Sequence, residues 1–286
     1  MSEFAFSMHD GYRVAPRPRW GHGRKAHPQV EAVLARGRDD YGRILDEVAR
    51  HRPVLHQIPH EADPTRPTAP YWNNIWFTAL DAAALVTLLL SRKPARLFEI
   101  GSGHSTMFAA HAIRVGGLAT EICSIDPQPR AGIDSLCRRT VRIPLEKCDL
   151  AIFDELQPGD VLFYDGSHRV FQNSDVTAFF LDVLPRLKPG ILVHVHDIFL
   201  PADYPDEWIM TLFSEQYVLA AMLLCGAPPF HVVLPNYFVC TDPLLAARVR
   251  DLFRSGDGGR GIPFNYVNPG NTPGNSFWIE TTAQQT

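Results

Sequence analysis

Apolar residues in this chain fall into short unbroken runs, alternating with longer stretches in which they recur every three or four positions. The runs are Arg96-Leu97-Phe98-Glu99, Ile122-Cys123-Ser124-Ile125, Thr140-Val141-Arg142-Ile143, Val161-Leu162-Phe163-Tyr164, Ile191-Leu192-Val193, Phe230-His231-Val232-Val233-Leu234 and Ser276-Phe277-Trp278-Ile279-Glu280. Each has the length of a strand, and those without polar alternation predict strands covered on both faces. Between them, helical spacing predicts one or two helices over residues 28–50, broken near Gly37, then helices over 80–89, 107–113, 150–156, 173–187 and 214–224. Strands separated by helical segments predict a doubly wound α/β domain, its sheet mostly parallel.

The remainder is punctuation. Residues 1–28 are rich in Arg, Pro, Gly and His and predict an irregular arm, with accessory helices continuing to about Arg50. Two units follow: an N-terminal extension over 1–74 and the main domain over 75–286. His51, His56 and His60 lie in a proline-rich loop without helical pairing, so a solvated loop is expected there rather than a metal site. Residues 251–274, rich in Gly, Asn and Pro, are expected as loop.

Composition narrows the class without deciding it. At 286 residues, 45% apolar and 20% charged with a net charge of −4, the chain reads as a globular protein with no obligate nucleic-acid partner. Five cysteines without C-x-x-C spacing suggest neither a disulfide framework nor a zinc site, which fits the cytoplasm. No signal peptide is read at Met1 to Met8. The longest apolar run, Ala82 to Leu90, is far shorter than the roughly 20 residues that span a bilayer, so no membrane partner is expected.

Chemistry gathers at the strand ends. The first run stops at Glu99-Ile100-Gly101-Ser102-Gly103 and re-enters as a helix at once; Gly101 and Gly103 are expected to be required, because a Cβ would block the turn and a ligand's approach to the backbone. About 20 residues on, Ile125-Asp126 closes the next strand with a carboxylate placed to take both hydroxyls of a ribose. Later strands end in Asp165-Gly166-Ser167-His168 and His194-Val195-His196-Asp197. Parallel sheets bind ligands at this carboxyl edge, and an unpaired buried carboxylate is costly, so four acids (Glu99, Asp126, Asp165, Asp197) on one edge point to a site. Two nucleoside ligands compete for it. A dinucleotide turn would carry a third glycine, and position 106 is Thr.

The pattern Glu99-x-Gly101-x-Gly103 followed by Ile125-Asp126 resembles the class I S-adenosylmethionine (SAM)-dependent methyltransferases. With Tyr164-Asp165-Gly166-Ser167-His168 and Leu187-Lys188-Pro189-Gly190 before His196-Asp197, the stretch from about 75 to 240 is similar to the bacterial methyltransferase family 24. The resemblance implies a Rossmann-like, seven-stranded sheet whose last strand inserts antiparallel beside the fifth, and SAM as cofactor. It implies cofactor contacts from Glu99, Gly101, Ser102, Gly103, Ser105, Asp126, Asp165, Ser167 and His168, with Gly101 to Gly103 at the methionine end and Asp126 at the ribose. In related enzymes carboxylates at the ends of the fourth and fifth strands hold Mg²⁺; here Asp165, His196 and Asp197 form the implied metal set. The imidazole departs from that pattern and admits Mn²⁺, Fe²⁺ or Zn²⁺.

Asp165, His168, His196 and Asp197 are the catalytic candidates, with His196 suited to general base work. His194 is expected as a hydrogen-bonded core histidine. Tyr71, Trp72 and Trp76, and after the fifth strand Tyr204 and Trp208, are candidate substrate contacts, weighed against simple packing. The reading is methyl transfer to the hydroxyl or amine of a small molecule, in a monomer or homo-oligomer. SAM cyclisation or elimination, NAD-dependent oxidoreduction and a silent nucleoside-binding domain stay open beside it.

Overall fold

The computed structural model describes residues 16–77, 79–254, 261–262 and 274–283. Its helices are α1 (Pro28–Ala35), α2 (Arg38–Arg50), α3 (Arg52–Leu55), α4 (Ala79–Arg92), α5 (His104–Gly116), α6 (Asp175–Ala178), α7 (Glu215–Leu224), α8 (Asn236–Thr241) and α9 (Ala246–Phe253). Its strands are β1 (Arg96–Ile100), β2 (Glu121–Ile125), β3 (Arg139–Val141), β4 (Val161–Tyr164), β5 (Leu192–Val195), β6 (Phe230–Pro235) and β7 (Phe277–Thr281).

The seven strands form one sheet in the order β3-β2-β1-β4-β5-β7-β6, with β7 antiparallel between β5 and β6 and all others parallel. The expected doubly wound sheet with an antiparallel last strand beside the fifth is the one observed. β4 and β5 are buried at every position, as strands covered on both faces must be. α4 is buried from Ala79 to Leu89, because it is clamped between α5 and the N-terminal helix α2. Chain direction across the sheet reverses beside β1: β2 pairs on one side, β4 on the other. The turn after β1 therefore opens at the sheet's switch point, where α/β folds leave a crevice.

Several elements differ from the sequence expectation: Arg52–Leu55 in the expected proline-rich loop is helical, the helix expected over 150–156 is a 3₁₀ turn over Leu150–Glu155, and two others depart further. The helix expected over 173–187 is α-helical only in α6; Phe179–Val183 widens to i→i+5 bonding and Leu184–Arg186 tightens to a 3₁₀ turn. Pro185 has no N–H to donate and its ring crowds the carbonyl four residues back, so a regular helix cannot pass through it. Helix α9 continues to Phe253, into the stretch expected as loop; residues 255–260 and 263–273 of that stretch lie outside the described residues, as do the arm and leader readings on residues 1–15. No helix among the described residues is long and apolar enough to cross a membrane.

Candidate active site

Gly101 adopts φ +78°, and a Cβ there would fall 1.8 Å from the carbonyl oxygen of Asp165. The bend is pinched between neighbouring strand ends: Gly101 N–H donates to the Ile125 carbonyl (3.1 Å) and Asp165 N–H to that of Ile100 (2.9 Å). Gly103 is different. No atom approaches its Cβ position within less than 4.0 Å, so packing requires glycine only at the first of the two positions.

Glu99 lies beneath the bend, buried, and accepts the Ser105 hydroxyl (2.5 Å) and that of Thr106. Burial pushes its carboxyl up to about 7, against the pull of those donors. Glu99 and Ser105 thus tie the first turn of α5 to β1 and do not line the cavity above. That cavity, about 350 Å³, is lined by Gly101, Ser102, Asp126, Gln128, Asp165 and Ser167 among others. The Asp126 carboxylate receives Ser102 N–H on Oδ2 (2.8 Å) and Gln128 N–H on Oδ1 (2.7 Å), leaving a lone pair on each oxygen for two adjacent hydroxyls. Arg142 steadies this corner through the Ser124 hydroxyl (3.0 Å) and the Asp126 carbonyl (3.1 Å). The loop after β4 hangs on Asp175, which accepts the N–H (2.7 Å) and the hydroxyl of Ser167.

A second cavity of about 210 Å³ adjoins the first and shares Asp165 and Arg130 with it. Its polar floor is Asp165, His168, His196 and Asp197; its apolar wall includes Ile75, Trp76, Trp208 and Phe213. His168 Nε2 stands 3.2 Å from Asp165 Oδ1 and 3.5 Å from Asp197 Oδ2, while its Nδ1 meets Glu215 Oε1 at 2.5 Å. His196 repeats the arrangement more loosely: Nδ1 is 3.7 Å from Asp165 and 3.5 Å from Asp197, and Nε2 is 3.7 Å from Asp81. Asn275 donates to Asp197 Oδ1 (2.7 Å). Both His168 (φ +63°) and Asp197 (φ +56°) hold left-handed backbone, a strain typical of sites that the surrounding fold overdetermines.

Burial works against charge on every member, and the neighbours decide each outcome. The positive His196 and the hydrogen bond from His168 hold Asp165 well below the usual carboxylate range. Glu215, Asp165 and Asp197 raise His168 well above an ordinary imidazole, and Asp197, Asp165 and Asp81 push His196 up to about 9. Burial raises Asp197 and takes Glu215 to about 7. Four carboxylates, Asp81, Asp165, Asp197 and Glu215, thus surround two imidazoles.

The expected residues divide. Among the described residues, the ligating atoms that converge within 4.8 Å of one another belong to Asp165, His168 and Asp197, whereas the sequence expectation had His196 in that set. His194 is a core residue, stacked on Phe163 and bonded to the Ser276 hydroxyl (2.7 Å). Trp76 lines the second cavity beneath the Arg130 guanidinium, 4.3 Å from its ring. Trp72 is buried against Phe108, its indole N–H on the Leu55 carbonyl, and Tyr71 contacts His104; neither lines the cavity. Tyr204 is buried with Phe199 and Tyr237, holding the loop from behind, while Trp208 faces the cavity. Sequence reasoning missed Asp81, Asp175 and Glu215. Asp81 carries a legible signal, a lone acid inside an otherwise apolar helix; Glu215 reads as an ordinary acid in a helix's first turn.

Residues 98–198 match the family model described as a methyltransferase domain. Among solved structures, the chain is similar to the S-adenosylhomocysteine-bound methyltransferase PaMTH1 of Podospora anserina, at 16% identity over 66% of this chain and 81% of that one, TM-score 0.38. It is also similar to cofactor-bound Rv0187 from MTB (14%, 90% of each chain, TM-score 0.39). A third is the plantazolicin methyltransferase BpumL bound to S-adenosylhomocysteine (12%, 70% and 86%, TM-score 0.37). Likenesses this distant add nothing to what the sheet order gives. No curated protein matches the chain.

Proposed function

We propose, from the premise that the domain at residues 98–198 makes this chain a SAM-dependent methyltransferase, that it methylates a hydroxyl or amine of a small molecule. The single observation that carries this reading is the pair of adjoining cavities sharing Asp165 and Arg130, one shaped for a nucleoside and the other floored by acids and imidazoles.

The residues present fit the cofactor. Gly101 leaves backbone where a side chain would collide, Ser102 and Gly103 continue the bend, and Asp126 keeps two acceptor sites for ribose hydroxyls. Ser167 lines the first cavity and His168 the second, on either side of the shared Asp165. SAM, when bound, supplies a methyl group on a sulfonium that is ready to leave. The chain's share is alignment, exclusion of water and removal of one proton. Trp76, Trp208 and Phe213 supply the apolar wall. His196, with Asp81 behind it, is the group placed to accept the proton once its imidazole is neutral; a cation held by Asp165 and Asp197 would offset the charge that keeps it protonated. A divalent ion also fits the Asp165 and Asp197 pair, where it would orient and acidify an acceptor hydroxyl. Residues 1–74 serve in this reading as an accessory segment to a catalytic unit over 75–286. The five cysteines, all free, suit a reducing compartment.

The test is incubation with methyl-labelled SAM and a panel of phenols, sugars and amines. Label in an acceptor with stoichiometric S-adenosylhomocysteine is the expected outcome. Methylthioadenosine as the nucleoside product would move the chain to the cyclising or eliminating enzymes.

A further inference from the structure

His168 is not placed like a residue waiting in solvent. Its Nδ1 is tied to Glu215, itself fully buried, and its carbonyl accepts Ser214 N–H (2.8 Å) from the start of α7. The Ser214 hydroxyl in turn accepts Val170 N–H (2.9 Å), so both sides of the histidine are bolted to one helix end. With Nδ1 engaged, Nε2 can only face Asp165 Oδ1 and Asp197 Oδ2, at 3.2 and 3.5 Å. These separations are close to those between neighbouring ligand atoms around a single six-coordinate ion. A buried carboxylate fixing one imidazole nitrogen while the other points at a cation is the arrangement that orients metal-bound histidines.

Resting on the methyltransferase reading, we infer that Asp165, His168 and Asp197 hold a first-row transition ion such as Mn²⁺ or Fe²⁺ in preference to Mg²⁺, and that Glu215 is the positioning residue that aims His168 at it. The choice of ion follows from the donors. Mg²⁺ requires oxygen ligands and gives up water reluctantly, whereas one imidazole with two carboxylates suits the softer ions. His196 stays outside the set, since the ligating atoms that converge belong to Asp165, His168 and Asp197. α7 acquires a purpose beyond packing: its first residue sets the direction of a ligand 47 positions earlier in the chain.

The test uses the full chain stripped with chelator, Mn²⁺ as probe and Mg²⁺ as comparator. Calorimetry is expected to give one Mn²⁺ per chain, bound at least about tenfold tighter than Mg²⁺. The electron spin echo of bound Mn²⁺ in the unmutated protein should show nitrogen modulation from one imidazole, a readout independent of any variant's folding. His168→Ala should abolish that modulation, and Glu215→Gln should weaken Mn²⁺ by about 10- to 100-fold. An oxygen-only spectrum, equal affinity for Mg²⁺, or no Mn²⁺ binding overturns the inference. A Glu215→Gln protein that loses thermal stability yet keeps its Mn²⁺ affinity reduces Glu215 to a structural ion pair. SAM binding measured alongside separates the two readings: SAM bound without Mn²⁺ leaves the methyltransferase standing, and Mn²⁺ bound without SAM does the reverse.

Discussion

A methyl group added at Gly101 would meet the Asp165 backbone at 1.8 Å in a conformation that L-residues avoid. Left-handed backbone alone costs roughly 1–2 kcal/mol, and this clash is with backbone that cannot rotate away. Gly101→Ala is therefore expected to lose about 2 kcal/mol or more in denaturant unfolding, with SAM affinity falling as the bend shifts. Gly103→Ala, with open space at the same atom, should be milder; equal losses would show that the bend is not pinned where described. Glu99 gives a pH signature. Its carboxyl sits near 7 in the fold against an ordinary 4.5, so the folded chain keeps a proton that the unfolded chain has lost. Stability from this group falls as pH rises from 4.5 through 7 and is level above. Glu99→Gln cannot ionise, so its thermal midpoint should gain on the unmutated protein across that window and no further; a constant offset would mean the burial is not felt. Strand-end acids were legible in the sequence because each closes a short, mostly apolar run of strand length. Asp81 stands out as a lone acid in an apolar helix, but Glu215 was not legible, since nothing local to a helix's first turn shows that its acid backs a histidine 47 positions earlier.

At the scale of elements, α4 carries the joint between the sheet's late strands. Asp81 accepts Asn236 Nδ2 (2.7 Å), Asn275 N–H (3.0 Å) and Ser276 N–H (2.8 Å), binding the entries to α8 and β7 to one buried carboxylate. Removing the acceptor strands three buried donors, each worth about 1–3 kcal/mol. Asp81→Ala is expected to destabilise on the order of 3 kcal/mol, with Asp81→Asn recovering part of it; a change within experimental error would deny the joint. The central strands were readable from runs buried on two faces, whereas β3 is largely exposed, and α5 was readable from the glycine bend before it. The broken helix after α6 was not, because helical spacing of apolar residues persists through Pro185 while the hydrogen bonding does not.

Across the whole molecule, the N-terminal segment reaches the far end of the chain's site. Asp203 accepts the backbone N–H of Arg19 (2.6 Å) and Trp20 (3.0 Å), and also the Tyr217 hydroxyl (3.1 Å), seating residues 19–22 on the loop that presents Trp208. Asp203→Ala should speed tryptic cleavage at Arg19 and Arg24 while leaving SAM affinity unchanged; cleavage at the native rate would mean the strap is held elsewhere. This contact joins segments 184 residues apart, and no periodicity in the sequence announces it. What the sequence does carry is the order of strands and the chemistry at their ends, because both are local.

Calorimetric titration of the unmutated chain and Asp126→Ala with SAM, and with NAD as competitor, goes to the centre of the matter. Micromolar-range SAM binding, on the order of −8 kcal/mol, should weaken by about tenfold or more in the mutant as a charged acceptor is lost, with NAD bound poorly by both. NAD bound in preference to SAM, or SAM affinity indifferent to Asp126, would contradict the assignment of the glycine bend and its neighbouring carboxylate to a sulfonium nucleoside.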